Sequence, residues 1–384
     1  VVPVALVWGA AVFVLARRGP AVWSPALVVA VALLVRLPLV GTPPLLSDDL
    51  YRYLWEGTVL GAGGDPFATA PTAWPGLDDP LRARVNHPDV PSVYPPLALW
   101  WFRALAVAGT PAAVQLATAA LDAVLAGVLC VAAGPVVAVL YALHPLPVLE
   151  SACGGHLEVP AAFLAALGVW SSRRGRPTAA FALATAGALV KMFPLVVLPT
   201  LWLRMPRRRA VLAAGVAVVG SVALLAVQVR LDPATLLDGW RTYALTWSFN
   251  GFAWPLIEPW LGTATRPVLV AAGLVATGVA VARTRDPARV WSVAATSFVL
   301  LSPTVHPWYV SWALVPDLLR GRIAWAAASI PLLGSYAVLS TVDPATGGWT
   351  EQPWLWWVTW PPAIVLLVLF RQTSVRSDPS PIEP

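Results

Sequence analysis

Two adjacent carboxylates open the segment Ser47-Asp48-Asp49-Leu50-Tyr51-Arg52-Tyr53, directly after an apolar run. Such a pair can take a proton from an attacking hydroxyl or ligate a hard metal ion. It also suits an ordinary helix start, with Ser47 as cap and both acids favoured by the helix dipole. Spacing alone leaves both readings open. Further on, Glu150-Ser-Ala-Cys-Gly-Gly-His156-Leu-Glu158 gathers three ionisable groups beside the end of an apolar run. Lys191 is the single lysine among 25 basic residues, and it sits inside the apolar stretch 178–204. His306-Pro307-Trp308-Tyr309 falls between two short apolar runs, and Tyr94-Pro95-Pro96 closes the segment that the two acids open. Packing or anchoring accounts for any one of these taken singly. Asp48, Asp49, His156 and Glu158 together offer oxygen and nitrogen donors, so a divalent metal stays open.

The elements that must position these residues are membrane helices. Of 384 residues, 58% are hydrophobic and 11% charged. A soluble domain carries about 25% charged residues, so this chain has too little charge to coat a water-facing surface. Composition excludes a soluble enzyme, a disordered chain and a collagen, and points to a polytopic all-α membrane protein. Apolar runs near 1–16, 21–40, 94–108, 112–131, 136–149, 157–171, 178–204, 210–229, 267–282, 288–302, 306–320, 323–340 and 354–370 predict about 11–13 spans in a single integral-membrane domain covering 1–384. Sixteen arginines cluster between runs: 17–18, 173–176, 204–209, 283–289, 320–322 and 371–376. That is the mark of cytoplasmic loops and not of nucleic-acid binding. The segment 41–92, with seven acids against three arginines, is then the largest extracytoplasmic loop. The run 178–204 has basic clusters at both ends, so it is expected to turn back near Lys191-Met192-Phe193-Pro194. The run 94–108, which carries Arg103, is expected to lie along the outer surface. The first run ends in Arg17-Arg18 with no small-residue cleavage site and reads as a membrane segment. Asp48, Asp49, His156, Glu158, Lys191 and His306 all fall on the outer side in this scheme. The 21 tryptophans fit an aromatic belt at the two interfaces. The chain has no Gly-rich nucleotide loop and no G-x-S-x-G elbow, so cytoplasmic nucleotide chemistry has no support.

An ordered series of short motifs resembles a known superfamily. It comprises Asp48-Asp49-Leu50-Tyr51, Gly64-Asp65-Pro66-Phe67, Tyr94-Pro95-Pro96-Leu97, then His144-Pro145 with Glu150 and Gly155-His156-x-Glu158, Lys191-Met-Phe-Pro194, and Ser302-Pro303 to Trp308-Tyr309. In this order they resemble the GT-C superfamily of integral-membrane glycosyltransferases. The resemblance is to its mannosyltransferase branch, which includes the first GPI mannosyltransferase and the phosphatidylinositol-mannoside enzymes. Glu158 stands where the relatives are expected to carry Asp.

The resemblance implies an enzyme at the extracytoplasmic face of a bacterial cell membrane. It moves a hexose, mannose first among them, from a polyprenyl-phosphate sugar to a glycolipid or glycan acceptor, amid membrane lipids. On this reading Asp48 is the general base and Asp49 the second candidate. Tyr51, Arg52, Lys191 and His306 hold the donor and its phosphate. Tyr94, His156, Glu158, Trp308 and Tyr309 line the substrate cavity. A GT-C enzyme for another sugar such as arabinose, or a lipid-linked-sugar flippase, are the rivals. A transporter is expected to show inverted repeats, and no internal repeat is apparent.

Overall fold

The computed structural model describes residues 23–74, 80–227, 233–343 and 348–375. The expected first apolar segment, 1–16, lies outside them. In chain order the helices are α1 Pro25–Arg36, α2 Asp49–Gly61, α3 Pro96–Ala106, α4 Pro111–Ala133, α5 Pro135–Ala142, α6 Pro145–Ala152, α7 Glu158–Arg173, α8 Pro177–Val190 and α9 Leu198–Trp202. They continue with α10 Arg207–Ala226, α11 Pro233–Leu236, α12 Asp238–Thr246, α13 Trp254–Leu261, α14 Thr265–Arg283, α15 Pro287–Leu301, α16 Ser311–Leu319, α17 Ala324–Leu332 and α18 Pro353–Phe370. Proline stands at the start of many of them, where its fixed φ suits the first turn and its missing N–H costs nothing. Among the described residues there are only isolated β-bridges and no strand. The protein is an all-α polytopic membrane protein.

Among the described residues, five segments are long and apolar enough to cross a bilayer: Pro111–Ala133, Arg207–Ala226, Trp254–Arg283, Ala324–Thr341 and Pro353–Phe370. A sixth arises if α5 and α6, bent by 56° at His144, form one broken span. Shorter apolar helices stand beside them at Pro25–Leu39, Pro177–Val190, Phe193–Trp202 and Pro287–Leu301, so several of the expected apolar runs fold as short or interrupted helices. The run 94–108 becomes α3, of 11 residues, about 16 Å long and half a hydrocarbon core. Helix α8 stops at Val190, where Lys191 adopts an extended conformation. The chain resumes as a 3-10 turn at Phe193–Val197 and the short α9. The break falls at the turn-back expected from the sequence.

The chain divides into two compact units. The first comprises Val1–Arg36, Leu121–Leu149 and Ser248–Pro384. Inside it Arg36 and Asp122 are fully buried, with an Arg36 Nη2–Asp122 Oδ2 distance of 2.6 Å. Arg36 also donates to the carbonyls of Ala32 and Ala142, and the Tyr141 hydroxyl donates to Asp122. The second unit comprises Leu37–Ala120 and Glu150–Trp247. Its apolar core joins Leu50, Tyr53 and Leu54 of α2 to Leu99 and Phe102 of α3, with Leu157, Ala161 and Val190. Within the expected loop 41–92, α2 is a helix buried along nearly its whole length. Gly57 lets α2 approach α3, since a Cβ there would lie 2.2 Å from the Phe102 carbonyl oxygen. Tyr53 stacks on Phe102 at 4.6 Å between ring centroids.

Candidate functional site

The polar cluster of the second unit is assembled by helix ends. Helices α7 and α8 have 16 and 14 residues and run antiparallel through a short turn at 174–176. Near-equal lengths bring the far ends together, so Glu158 at the start of α7 meets Lys191 just past the end of α8. Their Oε1–Nζ distance is 2.9 Å. Two glycines make the pairing close: a Cβ at Gly168 would meet the Ala180 carbonyl oxygen at 3.1 Å, and one at Gly187 that of Ala161 at 3.1 Å. Glu158 is 1% exposed and Lys191 16%. A carboxylate so buried needs its cation, because an unpaired charge there is costly. Lys191 thus has a protein partner.

The connection from α6 to α7 delivers His156. Gly155 has φ +66°, and a Cβ there would press on Val114 at 2.9 Å. A Cβ at Gly154 would lie 2.4 Å from the His156 ring, so the glycine leaves room for the imidazole. The His156 amide donates to the Glu150 carbonyl and closes the loop. The ring is fully buried between two carboxylates. Nε2 lies 3.3 Å from Glu150 Oε2, and Nδ1 lies 3.8 Å from Asp49 Oδ2. Burial holds the imidazole below its ordinary pKa, opposed by the charges of Asp49 and Glu158.

Asp48 and Asp49 sit at the N-terminus of α2, and Ser47 Oγ accepts from the Asp49 amide. The two acids differ in setting. Asp49 is partly buried and accepts from Asn86 Nδ2 at 2.6 Å on one oxygen, while the other faces His156. Asp48 is exposed. Desolvation by nearby chain, and then the charge of Asp49, push its carboxyl above the ordinary aspartate value. His87, with the rare non-glycine φ of +46°, lies close enough for its charge to act on Asp48. Its ring packs edge-on against Trp247. Strained backbone of this kind collects at functional sites.

Arg52 is buried and engaged at every donor nitrogen. Nε donates to Glu56 at 2.9 Å, Nη1 to the carbonyls of Asn86 and His87, and Nη2 to those of Val90 and Pro91. Glu56 in turn accepts from Ser92 Oγ at 2.7 Å. The guanidinium ties the segment 86–92 to α2 and so fixes Asn86 against Asp49. Tyr51 is buried under the Arg84 guanidinium, 3.9 Å from its ring centroid. Tyr94 is buried edge-on to Tyr53, and its hydroxyl is pushed well above its ordinary pKa by burial and by Asp49.

The second unit therefore joins Asp48, Asp49, Tyr94, His156, Glu158 and Lys191. His306, Trp308 and Tyr309 belong to the first unit. There His306 stacks on Trp308 at 4.4 Å and on Phe249 at 5.1 Å, with Tyr309 edge-on. Among the described residues no group of three or more His, Cys, Asp and Glu side chains is arranged to hold a metal ion. Asp49 and Glu150 approach opposite nitrogens of His156 and do not converge on one point. Asn86 is the site residue that motif reading passes over, because nothing in its spacing marks it. Motif reading also passes over Arg36 and Asp122, although a lone acid within 112–131 and a lone arginine within 21–40 are a readable signal for a buried pair.

Among known proteins, alpha-(1->6)-mannopyranosyltransferase B of Corynebacterium glutamicum is 27% identical over an alignment covering 73% of this chain and 56% of that protein. The chain thus spans little more than half the length of the curated relative it matches. No solved structure matches it. A family profile described as "Alpha-(1->6)-mannopyranosyltransferase, N-terminal domain" matches residues 1–207, the stretch that holds both acids, His156, Glu158 and Lys191. With more than half of its residues matched, this chain belongs to the alpha-(1->6)-mannopyranosyltransferase family.

Proposed function

We propose that this chain is a membrane mannosyltransferase of the GT-C type, using a polyprenyl-phosphate-mannose donor and a lipid or glycan hydroxyl as acceptor at the extracytoplasmic boundary. The observation that carries the reading is the pairing of an exposed acid with a fixed one. Asp49 is held by Asn86 and faces His156, while Asp48 beside it is open to a substrate and has a raised carboxyl pKa. A base must be ionised yet willing to take a proton, and a raised pKa serves the second need.

In the reaction the acceptor oxygen attacks the anomeric carbon and its proton passes to Asp48. The bond from that carbon to the phosphate oxygen breaks, and the electron pair leaves with the lipid phosphate. Asp49 stays ionised and fixed. Lys191, oriented by Glu158, offers a positive charge to the departing phosphate. Arg52 is assigned to holding the 86–92 segment and not to the phosphate, because its donors are engaged within the chain. The places of His306 at the donor phosphate and of Trp308 and Tyr309 in the substrate cavity rest on the family resemblance.

The test is transfer by the purified full chain in liposomes loaded with radiolabelled polyprenyl-phosphate mannose and membrane-lipid acceptors. Mannose should appear in a new glycolipid, and Asp48→Asn should abolish this while leaving donor binding intact. Movement of the donor between leaflets without transfer would make the protein a flippase. Transfer from an arabinose donor alone would change the sugar.

A further inference from the structure

Between Glu158 and Asp232 the sequence holds no acidic residue, yet it carries eight arginines, seven of them in two clusters: Arg173, Arg174 and Arg176, then Arg204, Arg207, Arg208 and Arg209. The fold brings the clusters to one place. The first is the turn between α7 and α8. The second joins α9 to α10, and Arg204 Nη2 reaches the Ser172 carbonyl at 3.4 Å. Arg174, Arg176, Arg204, Arg207, Arg208 and Arg209 are exposed.

Helix α10 sets the depth of this patch. It begins at Arg207, runs 20 residues and is only 6% buried. Val211, Leu212, Val216, Val218 and Val219 are each 63–69% exposed. A helix this long and this apolar on its outer surface suits contact with lipid tails. Its first turn therefore lies where hydrocarbon gives way to headgroups. Trp170 sits at the same end, with the Arg174 guanidinium 5.3 Å from its ring centroid, as expected of an interfacial tryptophan. Helix α7, of 16 residues, separates the patch from Glu158 and Lys191 by about 24 Å at 1.5 Å per residue.

We infer that this patch binds the phosphate groups of anionic phospholipids, at the leaflet opposite the Glu158–Lys191 end. Charge complementarity selects the partner. Arginine forks donate to phosphate oxygens two at a time, and basic groups are drawn to an anionic leaflet. No acid competes within the segment. The inference stands apart from the transferase reading, because it concerns lipid binding at the other end of the helices.

The experiment uses the full chain in detergent and reads lipid retention by native mass spectrometry, together with thermal stability on adding phosphatidylglycerol or phosphatidylcholine. Phosphatidylglycerol should be retained and should raise the melting temperature, and phosphatidylcholine should do neither. Arg207→Gln/Arg208→Gln/Arg209→Gln should lower phosphatidylglycerol retention at least tenfold. Arg283→Gln/Arg285→Gln, a control near Asp286, should keep it. Equal loss in both variants would reduce the effect to overall charge and overturn the site. Unchanged retention in the triple variant would overturn it too. Stabilisation by inorganic phosphate equal to that by phosphatidylglycerol would replace the lipid with a free anion. Tighter retention of a short oligoribonucleotide would replace it with nucleic acid.

Discussion

The two neighbouring acids carry different loads, and titration separates them. For transfer the base must be ionised, so activity should fall as pH drops through the carboxyl pKa of Asp48. Desolvation and Asp49 raise that value, so the acidic limb should lie above the ordinary aspartate range. Asp49→Asn removes a neighbouring negative charge, which favours ionisation of Asp48. Whatever activity survives should show its acidic limb at lower pH, read from rate against pH in the liposome assay. A limb that moves up would refute the assignment. The Glu158–Lys191 pair allows a second measurement. Lys191→Met strands a carboxylate that is 1% exposed, at a cost of about 3–5 kcal/mol. Adding Glu158→Gln removes the stranded charge and should restore most of the melting temperature. If Lys191 serves the donor phosphate, donor binding should stay weak in this double variant despite the recovered fold.

Short helices set the site because their lengths and glycines fix where their ends meet. Helix α2 is held against α3 by Gly57, and Gly57→Ala would drive Cβ to 2.2 Å from a backbone oxygen that cannot rotate away. Overpacking of this kind costs about 1–3 kcal/mol. The variant should melt lower and, because α2 carries Asp48 and Asp49 at its start, should lose transfer by more than its loss of folded protein. Gly155→Ala combines a left-handed φ with a 2.9 Å approach to Val114. It should displace His156 and weaken transfer even where folding survives. Quantifying folded protein by size-exclusion chromatography beside activity would show whether the two losses separate.

Across the molecule the membrane decides which surfaces face out. Asp122→Ala leaves Arg36 fully buried without its counter-charge and should destabilise the first unit by about 3–5 kcal/mol, seen as reduced monodisperse yield. Membrane sidedness is a separate question, answered in intact cells. A cysteine at the exposed Thr72 should react with an impermeant thiol reagent added outside, and one at Arg174 should not. The native Cys130 and Cys153 are buried and give little background. Reversed labelling would put Asp48 on the cytoplasmic side.

The sequence by itself determined the all-helical membrane class, the series of polar residues inside apolar surroundings, and the break at Lys191. Composition and charge clusters act locally, along the chain, and need no knowledge of distant contacts. It did not show which apolar runs form one long helix and which form short or interrupted ones, because an apolar run does not reveal where a helix bends or stops. Tertiary structure alone decided the partners. The antiparallel match of α7 to α8 set Lys191 against Glu158, the glycine turn set His156 between Asp49 and Glu150, and the clamp at Arg52 set Asn86 on Asp49. Apart from His156 with Glu150, these contacts join residues more than 30 positions apart in sequence, and their geometry depends on helix length and on where a missing Cβ lets two backbones touch.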